Sequence, residues 1–344
     1  KITTSIDRLC GTNKGLIVVI FIPNEWQNFR TFEDEFEKFN LHDYIKAYAA
    51  QKGISTQLIE EDTLNDGLKC QIYWWLSLSF YVKSLRTPWV LSNLDKTTAF
   101  AGIGYSVSKT GNNTEIVLGC SHIYNSEGQG LKYKLSRIED FVLDRKSNPF
   151  MSYNDAYQFG VSICELFYNS MGDLPKRVVV HKKTHFTKDE INGIKNSLAQ
   201  AGIKQVDLVE ISFESEARFL ATRIYSNQLQ IDGFPISRGS CVLIEPNTAL
   251  LWTHGIVPSV RNPNYKFYLG GRSIPSPLKI KKHYGNGNLS TLATEILGLT
   301  KMNWNSFDLY TKFPSTIESS NEIARIGRLL SRFEGRTYDY RLFI

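Results

Sequence analysis

The sequence predicts an α/β protein built from two domains, and three observations support this prediction. The chain has 344 residues, more than a single compact core usually serves. Strand and helix signals alternate over residues 1–95, which is typical of βαβ units around a parallel sheet. Beyond residue 95 three strand signals follow one another before the alternation resumes, so we expect a second domain of different topology over residues 96–344.

The first domain is expected to begin with a buried strand. The run GLIVVIFIP, residues 15–23, is short and rich in β-branched residues, as such strands are. The later signals predict a helix over much of residues 29–51 with a break near Asn40, a strand at 55–59, an aromatic-rich helix at 68–85 and a strand at 88–91. Ligands of a parallel sheet bind beyond the carboxyl ends of its strands.

A polar segment, DKTT at residues 95–98, marks the expected boundary between the domains. After it the sequence predicts strands at 99–107, 114–124 and 133–138, a helix at 154–171, a strand at 177–181, a helix at 188–201, strands at 206–211, 241–245 and 249–253, and helices at 289–299 and 317–333. An antiparallel meander followed by βαβ alternation is the order expected of a ribonuclease-H-like domain.

The composition is that of an ordinary globular protein, with 42% hydrophobic and 22% charged residues. No apolar run reaches the ~18 residues of a membrane span, and no secretory signal is recognisable, so a cytoplasmic protein is expected. The five cysteines are widely spaced and never form CxxC, which argues against a zinc site or a disulfide framework. The formal charge of +6 is compatible with a nucleic-acid partner.

Four polar residues of the first domain form a candidate phosphate site. His42 and Lys46 are four residues apart and share one face of the predicted helix. Gln57 follows in the next strand, and Lys83 comes near the end of the aromatic-rich helix. Lysines supply positive charge, while His and Gln supply directed donors. A His-x-x-x-Lys pair is more often a solvated helix face, so spacing alone leaves that alternative open.

The same segments resemble a known family. HDYIKAYAAQKGISTQLI, followed by WWLSLSFYVKSLRTPWVL, is similar to the MID domain of Argonaute proteins, which holds the 5′ phosphate of a guide strand. The resemblance places His42, Lys46, Gln57 and Lys83 at the four positions of the family's motif, where His42 replaces the common Tyr.

The resemblance also raises the question of a metal ion at the 5′ phosphate. In many relatives a divalent cation bridges the phosphate to the carboxylate of the chain terminus, and a helix Gln one turn before the last Lys assists. That helix position is Ser79 here, which puts Mg²⁺ in doubt. Ile344 is the residue whose terminal carboxylate could take part.

The rest of the chain resembles the PIWI domain of the same family. The similar segments are LTKMNWNS at residues 299–306, FPSTIESSNEIA at 313–324 and RVVVHKKTHF at 177–186. The resemblance therefore covers nearly the whole chain. It implies a Rossmann-like MID domain over residues 1–95, followed by a ribonuclease-H-like PIWI domain over residues 96–344.

The resemblance further implies that the PIWI domain is inactive. Slicing Argonautes hold two divalent cations on four side chains, because hard cations need oxygen ligands and two of them stabilise the attacking and leaving oxygens. Three of the corresponding positions are Gly104, Lys183 and Asn321, and the position of the mobile Glu is not identified. Glycine has no ligand atom and lysine repels a cation, so we expect a binding scaffold without catalytic residues.

A basic stretch in the second domain is a candidate nucleic-acid channel. Residues 246–294 contain no Asp or Glu, and aromatic residues lie between the basic ones. Lysine and arginine along a groove suit a phosphate backbone, although a solvated loop is the simpler alternative. Its Gly-rich segment GNGN, residues 285–288, predicts a turn before a helix. The predicted channel residues are Arg261, Lys266, Arg272, Lys279, Lys281 and Lys282.

No PAZ-like segment is recognisable, so the chain looks like the short prokaryotic Argonautes. This resemblance implies a guide RNA, a single-stranded DNA target and a heterodimer with an APAZ-domain effector, commonly a TIR or sirtuin-like NADase, that can form a higher oligomer on activation. NADase activity is then expected in the partner, within an antiviral response that depletes the cell of NAD. No membrane partner is expected.

Two other functions stay open. One is a nuclease that cleaves the guided target with non-standard metal ligands. The other is a nucleotide-binding protein with a Rossmann-like first half. PNEWQN stands where GxGxxG would follow the first strand, which argues against the second.

Overall fold

The computed structural model describes most of the chain. The described residues are 1–10, 16–33, 38–65, 67, 69–92, 94–110, 113–123, 132–138, 140–220, 222–231, 236–257, 275–305, 310–330 and 336–344. Among the helices of these ranges, none combines the length and apolar character that crossing a bilayer requires.

The N-terminal part is a small α/β unit. Its elements are helix α1 (Ile2–Cys10), strand β1 (Ile17–Ile22), a short 3-10 helix (Asn24–Phe29), strands β2 (Thr31–Glu33) and β3 (Lys38–Asn40), helix α2 (Leu41–Ala50), strand β4 (Ser55–Glu60) and helices α3 (Glu61–Asn65) and α4 (Lys69–Lys83). Strands β1 and β4 are parallel, with Val19 opposite Gln57. Helix α2 packs through Ile45 and Ala49 against Ile6 of α1.

Three predictions for this part are wrong. Strand β1 was expected to be buried, but Val19 is 51% exposed and Phe21 is 49% exposed. The helix expected over residues 29–51 begins only at Leu41, because the Asn40 side chain caps it by accepting from the backbone N–H groups of His42 and Asp43. Residues 31–33 and 38–40 instead form the paired antiparallel strands β2 and β3. The segment 88–91 is not a strand; the Trp89 indole there donates to the Lys301 carbonyl oxygen at 2.6 Å.

A nine-stranded mixed sheet organises the remainder of the chain. Its strands are β5 (Thr98–Thr110), β6 (Asn113–Ile123), β7 (Lys132–Ile138), β10 (Arg177–Lys182), β11 (Gln205–Phe213), β14 (Cys241–Glu245), β15 (Thr248–Leu251), β16 (Leu278–Tyr284) and β17 (Thr337–Asp339). Outside it lie two pairs of short strands, β8 (Phe141–Leu143) with β9 (Pro149–Met151), and β12 (Thr222–Tyr225) with β13 (Gln228–Ile231). The helices are α5 (Tyr153–Met171), α6 (Lys188–Gln200), α7 (Leu289–Leu299) and α8 (Ser315–Gly327).

The strand order across this sheet is β14-β15-β16-β11-β10-β5-β6-β7-β17. Strands β5, β6 and β7 form the predicted antiparallel meander, and β10 lies parallel to both β5 and β11. The fold is therefore mixed α/β with a central mixed sheet, as predicted. Strands β16 and β17 were not predicted from the sequence.

Alternating residues of the sheet face two helical layers. Ala101 and Val180 pack with α5 and α6 on one face, whereas Phe100 and Val179 pack with α7 and α8 on the other. The second core also includes Ala47 of α2, so the N-terminal unit packs on the α8 side of the sheet. Strand β5 begins at Thr98; the predicted division into domains near residue 95 stays a prediction.

Candidate phosphate-binding site

A concave cavity of about 410 Å³ lies where the N-terminal unit meets the end of the chain. The structure brings all four predicted phosphate residues together in its wall, along with the other two positions that the family resemblance singled out. The full lining is His42, Lys46, Gln57, Trp75, Leu76, Leu78, Ser79, Lys83, Trp304, Asn305 and Ile344.

Local structure explains how four residues spread over 42 positions of sequence converge. The Asn40 cap starts α2 one residue before His42, so that His42 and Lys46 lie one turn apart on the same face. Gln57 is presented by β4. Lys83 is the last residue of α4, and its carbonyl oxygen accepts a 3.2 Å hydrogen bond from the Ser55 hydroxyl at the start of β4.

Hydrogen bonds hold the polar side chains of the cavity in place. Lys83 Nζ donates to Gln57 Oε1 at 2.5 Å, and the Ser79 hydroxyl donates to the same oxygen at 2.7 Å. The Gln57 amide nitrogen in turn donates to the Leu58 carbonyl oxygen at 2.9 Å. Lys46 Nζ donates to the Phe343 carbonyl oxygen at 3.0 Å, which ties α2 to the C-terminal segment. Each lysine ammonium has three donors, so both keep donors for a ligand.

Both lysines are buried, and neither pairs with an Asp or Glu among the residues that the structure describes. Lys46 is 4% exposed and Lys83 is 5% exposed. Burial lowers the pKa of Lys46 to about 8, although the negative charge of Glu322 opposes this effect. Burial and then the charge of Lys46 lower the pKa of Lys83 to about 7. A ligand with negative charge would restore the charged form of both groups.

His42 is neutral in this environment. Burial, followed by the charges of Lys46 and Lys83, lowers the pKa of the His42 imidazole to about 3. Its Nδ1 lies 3.4 Å from a carboxylate oxygen of Asp43. The imidazole therefore offers the cavity a directed hydrogen bond without adding a third positive charge.

A second layer of charges links the site to α8. Asp43 of α2 forms an ion pair with Arg325 of α8. Glu322, one turn earlier on α8, is the acid whose charge acts on Lys46; burial raises the pKa of the Glu322 carboxyl and Lys46 opposes that rise. Helices α2 and α8 are thus linked by the Asp43–Arg325 ion pair and by the electrostatic interaction of Lys46 with Glu322.

The lining fits an anion better than a divalent cation. The described lining contains two lysines and no Asp or Glu, whereas Mg²⁺ prefers carboxylate and other oxygen ligands. Ile344, whose terminal carboxylate was singled out as able to take part in metal binding, lines the cavity, but the Gln57 oxygen already accepts from Ser79 and Lys83. A metal at the phosphate stays a prediction, and nothing proposed below depends on it.

Sequence reasoning missed several residues of the cavity. Trp75 and the Phe343 carbonyl were not singled out, and Trp304 and Asn305 entered only as letters of the motif LTKMNWNS. Trp304 and Phe343 come from more than 200 residues beyond α4. Only the family resemblance offered a signal for them, because no local spacing relates them to His42.

The position of Gly104 has no space for a carboxylate. Gly104 of β5 lies opposite Gly119 of β6, and α8 packs directly on this glycine pair. A Cβ atom at Gly104 would collide with the backbone of Ser320 and Asn321. Close packing of the α8 backbone, rather than an open metal site, therefore occupies this side of the sheet.

The other two positions of the degenerate tetrad carry no carboxylate either. Lys183 Nζ lies 4.7 Å from the centre of the Phe313 ring. The Asn321 amide donates to the Ile317 carbonyl oxygen at 2.8 Å. Within the described ranges, no three His, Cys, Asp or Glu side chains are grouped closely enough to hold a metal ion.

Only three of the six predicted channel residues lie within the described part of the chain. Arg261, Lys266 and Arg272 lie outside the described residues. The other three belong to β16: Lys281 is exposed, Lys279 Nζ lies 3.9 Å from a Glu214 oxygen, and Lys282 Nζ donates to the Gly287 carbonyl oxygen at 2.8 Å. The GNGN segment forms the predicted connection, and its Asn288 caps α7.

Comparison with known proteins identifies one related sequence. No family model matches the chain. The Argonaute protein of Aquifex aeolicus is 27% identical over 301 residues, which make up 85% of this chain and 36% of that protein. The chain thus spans little more than a third of the length of the curated relative.

Solved Argonaute structures share the fold. Clostridium butyricum Argonaute, bound to a guide DNA and a 19-mer target DNA, superposes with a TM-score of 0.72 at 18% identity, covering 99% of this chain and 41% of that chain. A crystal structure of A. aeolicus Argonaute gives a TM-score of 0.61 at 21% identity, covering 99% of this chain and 42% of that chain. By sequence and by fold, the chain is similar to these Argonaute proteins, spanning 36% of the A. aeolicus sequence and sharing the fold of the solved structures.

Proposed function

We propose that the cavity binds the 5′ phosphate of a guide nucleic acid. The observation that carries this proposal is the pair of buried lysines, Lys46 and Lys83, in one concave wall without a described acid. A phosphate dianion supplies the negative charge that these ammonium groups lack and accepts several charge-assisted hydrogen bonds at once. The related C. butyricum protein was solved with a guide DNA and a target DNA, which supports a nucleic acid as the ligand.

The other lining residues have complementary roles in this proposal. The neutral His42 imidazole directs one hydrogen bond at the phosphate, and Gln57 orients Lys83 by accepting from its ammonium group. Trp75 is 51% exposed beside the cavity, so its ring has a free face for a base. The guide would then run along the protein, and base pairing would supply the sequence specificity.

The test compares short oligomers that differ only in the terminal phosphate. Fluorescence anisotropy would measure the affinity of the unchanged chain and the Lys46→Ala/Lys83→Ala variant for RNA and DNA with a 5′ phosphate or a 5′ hydroxyl. Lys52→Ala is the matched control, because Lys52 pairs with Asp7 outside the cavity. We expect the double variant alone to lose the phosphate preference. Equal weakening of both kinds of oligomer would rule out this pocket.

We propose further that the chain binds its target without cutting it. Gly104, Lys183 and Asn321 offer no carboxylate where slicing relatives need one, and α8 covers Gly104. Labelled target DNA should stay intact with guide-loaded protein in Mg²⁺ or Mn²⁺. Guided cleavage by the purified chain would instead establish the alternative, a nuclease with non-standard metal ligands.

The proposed cellular role is that of a sensor subunit in prokaryotic immunity. In this role, an RNA guide pairs with single-stranded DNA and activates an APAZ-domain partner, either a TIR or a sirtuin-like NADase. The support is the resemblance of both halves of the chain to MID and PIWI domains. Co-expression with the protein encoded beside it, followed by measurement of NAD with and without guide and target, tests the role. NAD loss that does not require the target would contradict it.

A further inference from the structure

A buried hydrogen-bond donor without a partner lies at the phosphate cavity. Trp304 lines the cavity and is 0% exposed. In the part of the chain that the structure describes, its indole nitrogen has no hydrogen-bond partner. Two other tryptophans do have one: Trp89 donates to the Lys301 carbonyl oxygen at 2.6 Å, and Trp252 donates to the Pro275 carbonyl oxygen at 3.1 Å.

An unsatisfied donor of this kind needs an explanation, because nearly all buried polar groups in folded proteins are paired. The local chain is firmly held. The Met302 backbone N–H donates to the Leu299 carbonyl oxygen at 3.2 Å, and the Asn303 side chain accepts from the Asn305 N–H at 2.9 Å. The Trp304 ring packs into the main core, so its position does not depend on a ligand.

We propose that the Trp304 indole N–H donates a hydrogen bond to an oxygen of the bound 5′ phosphate. This inference rests on the proposed function and adds a donor from the second half of the chain to the site. Lys46 and Lys83 supply charge that depends on pH, whereas an indole N–H stays protonated and points in one direction. Because the ring is completely buried, its flat surfaces are not free for stacking on a base, so the unpaired N–H is the group that Trp304 can offer a ligand.

The experiment compares Trp304→Phe with Trp89→Phe. Phenylalanine keeps an aromatic ring in the core but removes part of the indole together with its N–H group, and Trp89→Phe makes the same change at a satisfied indole outside the cavity. Affinities for 5′-phosphate and 5′-hydroxyl oligomers are measured at one pH and salt concentration. Trp304→Phe should weaken binding of the 5′-phosphate oligomer about ten-fold, as expected for a hydrogen bond to a charged group, and leave the 5′-hydroxyl oligomer unchanged.

The outcomes separate this inference from the proposed function. If Lys46→Ala abolishes the phosphate preference and Trp304→Phe keeps it, the role of Trp304 is wrong and the pocket stands. Equal weakening of both oligomers by Trp304→Phe also overturns the inference, since it indicates a loss of packing. Absence of any phosphate preference in the unchanged protein overturns both.

A second measurement covers the case in which Trp304→Phe does not fold. The chain has six tryptophans, so ¹⁵N-labelled indole groups give few NMR signals. Replacing each of the other five in turn identifies the Trp304 signal. Its proton should move downfield when the 5′-phosphate oligomer is added and stay in place with the 5′-hydroxyl oligomer. An unchanged signal in saturated 5′-phosphate complex would refute the hydrogen bond.

Discussion

The affinity for a 5′ phosphate should fall steeply as the pH rises through neutrality. Lys83 has a pKa of about 7 and Lys46 a pKa of about 8 in the free protein, both because of burial. A bound phosphate favours the charged form of both lysines, so binding takes up protons in this pH range. The charged neighbours that act on the pair are Glu322 on α8, which raises the pKa of Lys46, and Lys46 itself, which lowers the pKa of Lys83.

The size of the pH effect on phosphate affinity follows from the pKa values of the two lysines. Both lysines are protonated in about 45% of free molecules at pH 7 and in about 5% at pH 8. Binding of the 5′-phosphate oligomer should therefore weaken about ten-fold between these pH values. The second pKa of a phosphate group is about 6, so the ligand is already mostly dianionic at pH 7. His42 contributes nothing to this slope, because its pKa is about 3.

Anisotropy titrations from pH 6.5 to pH 9 at constant ionic strength measure the effect. The informative variant is Lys83→Arg, because arginine stays protonated at every pH in the series. We expect it to keep the phosphate preference and to lose most of the pH dependence below pH 8. The 5′-hydroxyl oligomer serves as the control for general charge effects.

Two results would refute this reasoning. One is an affinity for the 5′-phosphate oligomer that is constant from pH 7 to pH 8. The other is an equal slope for both oligomers, since that would locate the titrating groups outside the cavity. Persistence of the full slope in Lys83→Arg would exclude Lys83 as the group that titrates near pH 7.

Four further predictions concern stability and the covered sheet face. Lys83→Met should raise the free energy of unfolding by roughly 1–3 kcal/mol at pH 7, because a buried ammonium is replaced by an apolar chain. The pKa of Lys83 in the folded protein lies below its unfolded value of 10.5, so the stability of the unchanged protein rises with pH between the two values. The stability gain from Lys83→Met, measured by chemical denaturation, should therefore shrink towards pH 10. Gly104→Ala should lower the melting temperature by overpacking against α8, at a cost of roughly 1–3 kcal/mol, whereas Gly67→Ala, with open space around it, should not. Gly104→Asp should likewise destabilise the fold and give no target cleavage in Mn²⁺; a stable, cleaving variant would contradict the packing argument. Arg325→Met should lower the melting temperature, because it leaves the buried Asp43 carboxylate on α2 without its ion-pair partner on α8. A smaller decrease than in the control variant Lys52→Met would contradict this prediction.

Part of the fold could be predicted because several strands are short apolar runs. The runs at β1 and β10 are rich in β-branched residues, which is typical of strands; β10 is buried, whereas Val19 and Phe21 of β1 are about half exposed. The start of helix α2 shows the opposite case. Residues 29–40 carry a helix-compatible pattern, but the Asn40 cap starts the helix at Leu41, and the short paired strands β2 and β3 before it have no strong sequence signal.

Local geometry predicted only part of the candidate site, and the family resemblance supported the inclusion of Gln57 and Lys83. His42 and Lys46 lie one helical turn apart, and this spacing can be read directly from the sequence. Their pKa values were not predictable, because they depend on burial by residues distant in sequence. The basic residues of β16 illustrate the same limit: the acid-free stretch was visible, yet the strand and the bond from Lys282 to Gly287 were not.

The C-terminal segment makes the site a property of the whole chain. Lys46 donates to the Phe343 carbonyl oxygen, and Phe343 itself is buried in the same core as α8. Arg341 reaches the Leu85 carbonyl oxygen at the end of α4, so the segment contacts both helices that carry the phosphate lysines. A phosphate that draws Lys46 towards itself must act on this segment and, through Glu322, on α8. Since α8 lies directly on Gly104 and Gly119, the contacts that begin at the cavity wall continue through α8 to the central sheet.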